Sequence, residues 1–173
     1  MMKIAIVYSF NSTKSAKIAL KIVDSIKKFL IEKVNVESCS GDDFLLYDGY
    51  ILSVPTWFDG ELPNYWDEFL PALEELDFKG KKIALFGLGD QKNYPENFCD
   101  AVGILGKFFE ERGAKIIGYT SPDGYTFESS KALKDNYLTG LLLDQENQSK
   151  LTDERIQKWA KQLELEFSIL NPV

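Results

Sequence analysis

Three runs of the 173-residue chain are apolar on both of their alternating faces: residues 3–8 (KIAIVY), 50–54 (YILSV) and 82–88 (KIALFGL). A strand with one wet face alternates apolar and polar side chains. A strand apolar throughout has to be covered on both sides. Such strands belong to parallel sheets with helices packed above and below, and this requirement restricts the fold more than any other feature of the sequence.

The segments between the runs supply those helices. Over residues 13–30, Ala19, Ile22, Val23, Ile26 and Leu30 recur at helical spacing. Residues 34–37 read as a short second strand. Residues 62–73 read as a helix, with Pro63 in its first turn and Pro71 limiting its far end. Phe98, Val102, Leu105 and Phe109 mark a further helix that Gly113 stops. Residues 115–119 begin a fifth strand, and 137–143 (YLTGLLL) read as another piece of strand. Thr152 is expected to cap the last helix, with Asp153 and Glu154 in its first turn and a buried stripe of Ile156, Trp159, Ala160, Leu163 and Phe167. Trp66 and Trp159 are expected in the core. No repeat or linker interrupts the pattern, so one domain over 1–173 is expected. The alternation predicts an α/β fold: a doubly wound parallel sheet with helices on both faces. Ligands bind such sheets at the carboxyl ends of the strands, which directs attention to the residues after Tyr8, Val54, Leu88 and Tyr119.

Composition excludes several functions. Net charge is −7 and the chain has no histidine. The phosphate backbone of nucleic acid demands a basic face, so no nucleic-acid partner is expected; a protein partner with a basic docking patch suits the charge better. Lack of histidine removes Ser-His-Asp and Cys-His catalysis. Cys39 and Cys99 form no metal-like spacing and suit a reducing, cytoplasmic setting. No signal peptide and no membrane span are read in the chain, which also sets aside a glycosylated secreted protein at Asn11-Ser12-Thr13.

The expected carboxyl-edge loops carry distinctive residues. After the first strand come Ser9, Phe10, Asn11, Ser12, Thr13, Lys14 and Ser15: hydroxyls and one cation at a helix start, where free N–H groups attract phosphate. The stretch lacks the Walker pattern, and an ordinary serine-rich helix start fits it equally. After the third strand, Pro55, Thr56, Trp57, Phe58, Asp59 and Gly60 place a tryptophan in a loop. After the fourth come Leu88, Gly89, Asp90 and Tyr94, then Asn97, Phe98 and Cys99. Together they suit a phosphorylated planar ligand held between rings, where stacking contributes about 0.5–1.5 kcal/mol beyond area burial.

Four blocks in order resemble the long-chain flavodoxins: PTWFDGELPNYWDEF (55–69), FGLGDQKNYPENFCDAVGIL (86–105), GYTSPDGYTFESSKAL (118–133) and GLLLDQENQSKLTDERIQKW (140–159). The resemblance covers nearly the whole chain. It implies a five-stranded sheet of order 2-1-3-4-5, with an insertion over about 120–139 splitting the last strand. It implies non-covalent FMN, with Trp57 on the inner ring face, Tyr94 on the outer, Asp90 and its loop at the pyrimidine edge, and residues 9–15 at the phosphate. It implies a monomeric carrier and no enzyme, shuttling one electron between semiquinone and hydroquinone. Its partners would be a ferredoxin–NADP reductase-like donor and ferredoxin-dependent acceptors. A carbonyl of the 58–59 peptide is expected to accept a hydrogen bond from reduced N5–H, with Gly60 easing the turn. One carboxylate at about 8 Å and an effective dielectric of about 20 opposes the hydroquinone charge by about 2 kcal/mol, or about 90 mV for one electron. Asp59, Glu61, Asp90 and Glu96 therefore predict a low potential. Glu146 is assigned only a share of the negative surface.

The chain departs from the family in the phosphate loop, where relatives read Ser/Thr-x-Thr-Gly-x-Thr. Phe10 replaces the first hydroxyl, and Thr13 stands where glycine is expected. A retained but altered cradle is expected, with Ser9, Ser12, Thr13 and Ser15 as hydroxyl donors. A rival on the same fold is an FMN-dependent NAD(P)H or quinone reductase, which needs substrate access that Tyr94 is expected to block. A receiver-like signalling module would need an acid after the first strand, and Tyr8-Ser9-Phe10 has none.

Overall fold

The structure, a computed structural model, describes residues 1–170. The last three residues of the expected 1–173 unit lie outside the described residues. In chain order the elements are β1 (Ile4–Tyr8), α1 (Thr13–Ser25), β2 (Ile31–Asn35), α2 (Gly41–Phe44), β3 (Gly49–Ser53), α3 (Asn64–Leu73), β4 (Lys82–Leu88), α4 (Asp100–Glu110), β5 (Lys115–Ile117), β6 (Leu133–Lys134), β7 (Tyr137–Leu138), β8 (Leu141–Leu143) and α5 (Thr152–Ser168). A 3-10 turn, Ser149–Leu151, leads into α5.

The main sheet has the order β2-β1-β3-β4-β5 and every ladder in it is parallel. The fifth position is filled twice. β5 lies along the first half of β4, pairing Lys82 with Lys115, and β8 lies along the second half, pairing Leu88 with Leu143. Residues 118–140 leave the sheet between them and fold the small antiparallel pair β6–β7, as a long-chain insertion should.

Alternation along the strands explains the two layers. Ile4, Ile6 and Tyr8 of β1 enter one core with Ile18, Ile22, Trp159 and Leu163, from α1 and α5. Ala5 and Val7 enter the other with Phe44, Trp66, Phe69, Leu105 and Phe109, from α2, α3 and α4. Trp66 and Trp159 are both buried, as expected. Gly113, at φ +94°, closes α4: its N–H reaches the Glu110 carbonyl and the next N–H reaches Phe109, a paired closure that needs a left-handed residue.

Several boundaries differ from the sequence pattern, each for a local reason. α1 stops at Ser25, because Ile26 turns extended and the N–H groups of Lys27 and Lys28 are taken by the Glu164 carboxylate of α5. Leu30 is therefore 88% exposed and not part of the stripe. β2 begins at Ile31, opposite Ile4, and ends before Glu37. Pro63 is the N-cap of α3 and lies outside its first turn, while α3 runs on through Pro71 to Leu73. The bond missing at Pro71 would have gone to the carbonyl of Asp67, an exposed residue that water can reach. Residues 137–143 are two strands in different sheets, broken at Thr139 and Gly140. β5 ends at Ile117, before Gly118 at φ +79°. Thr152 is the first residue of α5 and not its cap. Its hydroxyl donates to Gln145 Oε1 at 2.5 Å.

One buried charge ties the last helix down. The Lys82 ammonium, 1% exposed, donates to the carbonyls of Glu166, Phe167 and Ile169, filling the open end of α5. Burial lowers its pKa.

Candidate functional site

Of the loops at the carboxyl edge of the sheet, those following β1, β3, β4 and β8 build the cleft. The last is a correction. Because the fifth strand is split, its carboxyl end at the edge is Leu143, and the residues after Tyr119 belong to the insertion instead.

α1 begins at Thr13, with Ser12 extended before it at φ −89° and ψ 104° and no side chain capping the helix. The Ala16 N–H makes the first bond, to the Ser12 carbonyl. The N–H groups of Thr13, Lys14 and Ser15 thus have no intrahelical acceptor and carry the positive end of the helix dipole. The Ser15 hydroxyl is buried, at 1% exposure for the residue, and has no hydrogen-bond partner. Thr13 is not among the residues of positive φ, so threonine stands in the glycine position as an ordinary first helical residue.

These groups line one side of a 490 Å³ cleft with Pro55, Thr56, Trp57, Leu88, Gly89, Asp90 and Tyr94, and with Gln145 and Glu146 from the loop after β8. A 270 Å³ hollow continues it past Trp57 and Tyr94 to Phe58, Asn97, Phe98 and Cys99. Trp57 meets Tyr65 edge-on at 5.7 Å, and Tyr94 is 49% exposed. Gly89 lets this wall close up: a Cβ there would lie 2.8 Å from Cys99 Sγ. Thr56 Oγ1 accepts the Ala101 N–H, fastening the loop to the start of α4. Burial pushes the Cys99 thiol well above its usual range, assisted by nearby Asp144 and Asp100.

Five sequence-predicted residues do not line this space. The Ser9 hydroxyl donates to Glu37 Oε2 at 2.6 Å, and Asn11 Nδ2 reaches the same oxygen at 3.0 Å. Both shape the turn, whose Ser9 carbonyl accepts the Ser12 N–H. The Phe10 ring leans on Tyr8 at 4.8 Å. Asp59 is exposed and Gly60 is buried in a tight turn, where the Trp57 N–H donates to the Glu61 carbonyl and the Glu61 N–H returns to Trp57. Gly60 has φ +93° and room for no side chain, since a Cβ would lie 2.9 Å from Asp100 Oδ2. Phe58, at φ +48°, adds a second left-handed residue to the turn.

The loop after β8 is the part sequence reasoning missed. Asp144, 1% exposed, accepts the Gln91 N–H at 3.2 Å and the Asn147 N–H at 3.0 Å. Asn147 Nδ2 also bonds Asp90 Oδ1 at 2.8 Å, joining this loop to the one after β4. Asp90 further accepts from the Lys92 and Asn93 backbones and the Asn93 side chain. Desolvation pushes its pKa up, but these hydrogen bonds outweigh it and hold the carboxyl below the usual range. The charged form is the one favoured in the fold, so this support is present above the ordinary carboxylate range and fades as pH falls through the depressed value. Glu146 has a specific contact beyond the general surface charge. Its carboxylate pairs with Lys14 at 2.9 Å across the cleft edge, and that hydrogen bond raises the lysine's pKa. Both side chains are well exposed, so the pair contributes at most about 1 kcal/mol.

The sheet order, together with a cleft where the helix connections diverge between β1 and β3, defines a doubly wound α/β protein with a cleft at the carboxyl edge, where such folds bind ligands. The chain belongs to the flavodoxin family, whose profile matches residues 6–159. It is 41% identical to flavodoxin 1 of Escherichia coli over 165 residues, covering 95% of this chain and 94% of that protein. It is equally similar to a flavodoxin of Nostoc sp. over 167 residues, covering 96% and 98%. Among solved structures, the Fusobacterium nucleatum flavodoxin bound to flavin mononucleotide superposes with a TM-score of 0.90 at 34% identity, covering 96% of this chain and 99% of that one.

Proposed function

We propose that the protein is an FMN-binding electron carrier that passes single electrons between redox proteins, without turning over a substrate of its own. The observation that carries this reading is the cleft itself. A phosphate-like end holds three free N–H groups, the unpartnered Ser15 hydroxyl and Lys14, and two aromatic side chains, Trp57 and Tyr94, line the part beyond it. Those groups fit FMN. The helix end and Ser15 would hold the phosphate, and Trp57 and Tyr94 would hold the ring, with Pro55, Thr56, Phe58, Leu88, Gly89, Asn97, Phe98 and Cys99 walling it in. Ser9 and Asn11 would act through Glu37, as positioning residues for the turn. When bound, FMN supplies chemistry in which electrons move one at a time.

The protein's own residues set how easily the site accepts negative charge. Asp59, Glu61, Asp90 and Glu96 stand in or beside the cleft loops, while Glu146 is offset by its pairing with Lys14; a carboxylate about 8 Å from an added negative charge would oppose it by about 2 kcal/mol at an effective dielectric of about 20. In the Phe58–Gly60 turn, Gly60 at φ +93° is the residue whose backbone can reorient a peptide toward the ring without a Cβ penalty. The acidic surface suits redox partners with basic patches, of the ferredoxin–NADP reductase and ferredoxin-dependent kinds. A monomer in the cytoplasm, with Cys39 and Cys99 as free thiols, completes the reading. The reductase alternative is not favoured, given the family and the aromatic cover of the cleft.

Anaerobic redox titration of the FMN-loaded protein tests this. Two separated one-electron steps are expected, the lower well below the midpoint of free FMN. A single two-electron step, with steady NAD(P)H oxidation by the purified protein alone, would overturn it.

A further inference from the structure

A second concave site lies apart from the cleft, between the insertion and α5. We propose that this 350 Å³ hollow binds a small planar ring carrying a carboxylate or phosphate. No residue that lines it also lines the cleft.

Its charge is the first observation. On a chain of net charge −7, the hollow is lined by two cations, Arg155 and Lys158, against one carboxylate, Asp123. Among the described residues, neither cation has a carboxylate within 4.0 Å; Lys14, Lys21, Lys107 and Lys134 are the ones so paired. Arg155 and Lys158 are three residues apart on α5, one helical turn, so they share a face.

The second observation is that Arg155 is held in place. Its guanidinium stacks on the Tyr125 ring, 4.2 Å from the centroid, and Nη1 donates to Gln148 Oε1 at 2.8 Å. Gln148 is itself anchored, donating to the Gly124 carbonyl at 2.7 Å. Tyr125 is fixed in turn, since its hydroxyl donates to the Leu142 carbonyl at 2.5 Å and its ring packs against Phe98. A guanidinium has five N–H donors. One is engaged by Gln148, and the planar fork that remains is oriented in advance and matches an oxyanion.

The walls supply the third observation. Tyr119 and Tyr137 flank the hollow, with Tyr137 57% exposed, so a ring entering beside the fork finds aromatic surface. The volume suits a ligand of a dozen or so heavy atoms and is at the lower end of the usual range for small-molecule sites. Ring and anion are thus recognised by different parts of one site.

The test is a titration of the FMN-loaded, ¹⁵N-labelled protein with phenyl phosphate, benzoate and uncharged benzyl alcohol, followed by amide shifts. Saturable shifts are expected at 119–125, 137 and 155–162 with at least one of the two anions. The more tightly bound one identifies the favoured oxyanion, and benzyl alcohol should bind at least about tenfold more weakly. Lys158→Met should weaken the anion about threefold and Arg155→Gln about tenfold. Lys158 is exposed, so its variant keeps the fold and leaves the flavin spectrum unchanged. Non-saturating shifts, shifts confined to the cleft loops, equal binding of benzyl alcohol, or unchanged affinity in Lys158→Met would each overturn the proposal.

Discussion

Gly140→Ala is expected to cost at least about 3 kcal/mol of stability and lower the melting temperature by about 10 °C. Gly140 stands where the insertion rejoins the sheet, at φ +108°, a conformation L side chains rarely adopt. A Cβ there would lie 2.1 Å from the Leu85 carbonyl oxygen and 2.9 Å from the carbonyl carbon. Both atoms are backbone of β4, so no rotamer change relieves the clash. The residue is also held on two sides: its N–H donates to the Leu138 carbonyl and its own carbonyl accepts from Thr120 Oγ1. Relief therefore means moving β8 off β4, which displaces Asp144 and the loop that braces Asp90. Gly80→Ala is the matched control. Gly80 has φ +83° but nothing within 4 Å of a Cβ, so that variant isolates backbone strain at about 1 kcal/mol. Thermal unfolding of the two apoproteins separates the contributions, and equal losses would show that the close approach to Leu85 is unimportant.

Ser15→Ala should move two properties in opposite directions. The Ser15 hydroxyl is buried without a partner, a condition that costs about 1–3 kcal/mol when nothing satisfies the group. Replacing it with alanine removes that cost, and the apoprotein is expected to gain up to about 1 kcal/mol. If the hydroxyl exists to donate to the FMN phosphate, the same variant should bind FMN about tenfold more weakly, because a hydrogen bond to a charged group is worth about 1.5–3 kcal/mol. Riboflavin, which has no phosphate, should bind wild type and variant alike. A purely structural serine would show no such crossing; loss of stability together with equal loss for both flavins would place its role in packing.

Much of the fold could be read from a few runs of residues. KIAIVY, YILSV and KIALFGL demanded cover on both faces, and that requirement leads to the two layers found around β1, β3 and β4. What could not be read were junctions decided by tertiary contacts. Nothing local in residues 25–30 says that Glu164, more than 130 positions away, will take two N–H groups and end α1. The continuous apolar run at 137–143 conceals a break, because Thr139 and Gly140 turn the chain between two sheets.

The cleft was legible in the same uneven way. Trp57 and Tyr94 stood out as aromatics in loops beside glycines, and the hydroxyls of 12–15 stood out at a helix start. Ser9 and Asn11 have the same chemistry by sequence, yet Glu37 takes both. The loop after β8 is hidden in the sequence, because the carboxyl-edge rule points to Tyr119, the apparent end of the fifth strand. Splitting that strand moves the functional edge to Leu143, and with it Asp144, Glu146 and Asn147. The missing glycine at position 13 has a plain resolution. The backbone there is helical, and threonine fits it without strain.

The central claim is that the start of α1 recognises a phosphate, and titrating the apoprotein with FMN and with riboflavin tests it most directly. Three free N–H groups, Ser15 and Lys14 together predict that FMN binds at least about a hundredfold more tightly, a difference of about 2.7 kcal/mol. Equal affinities for the two flavins would contradict the account.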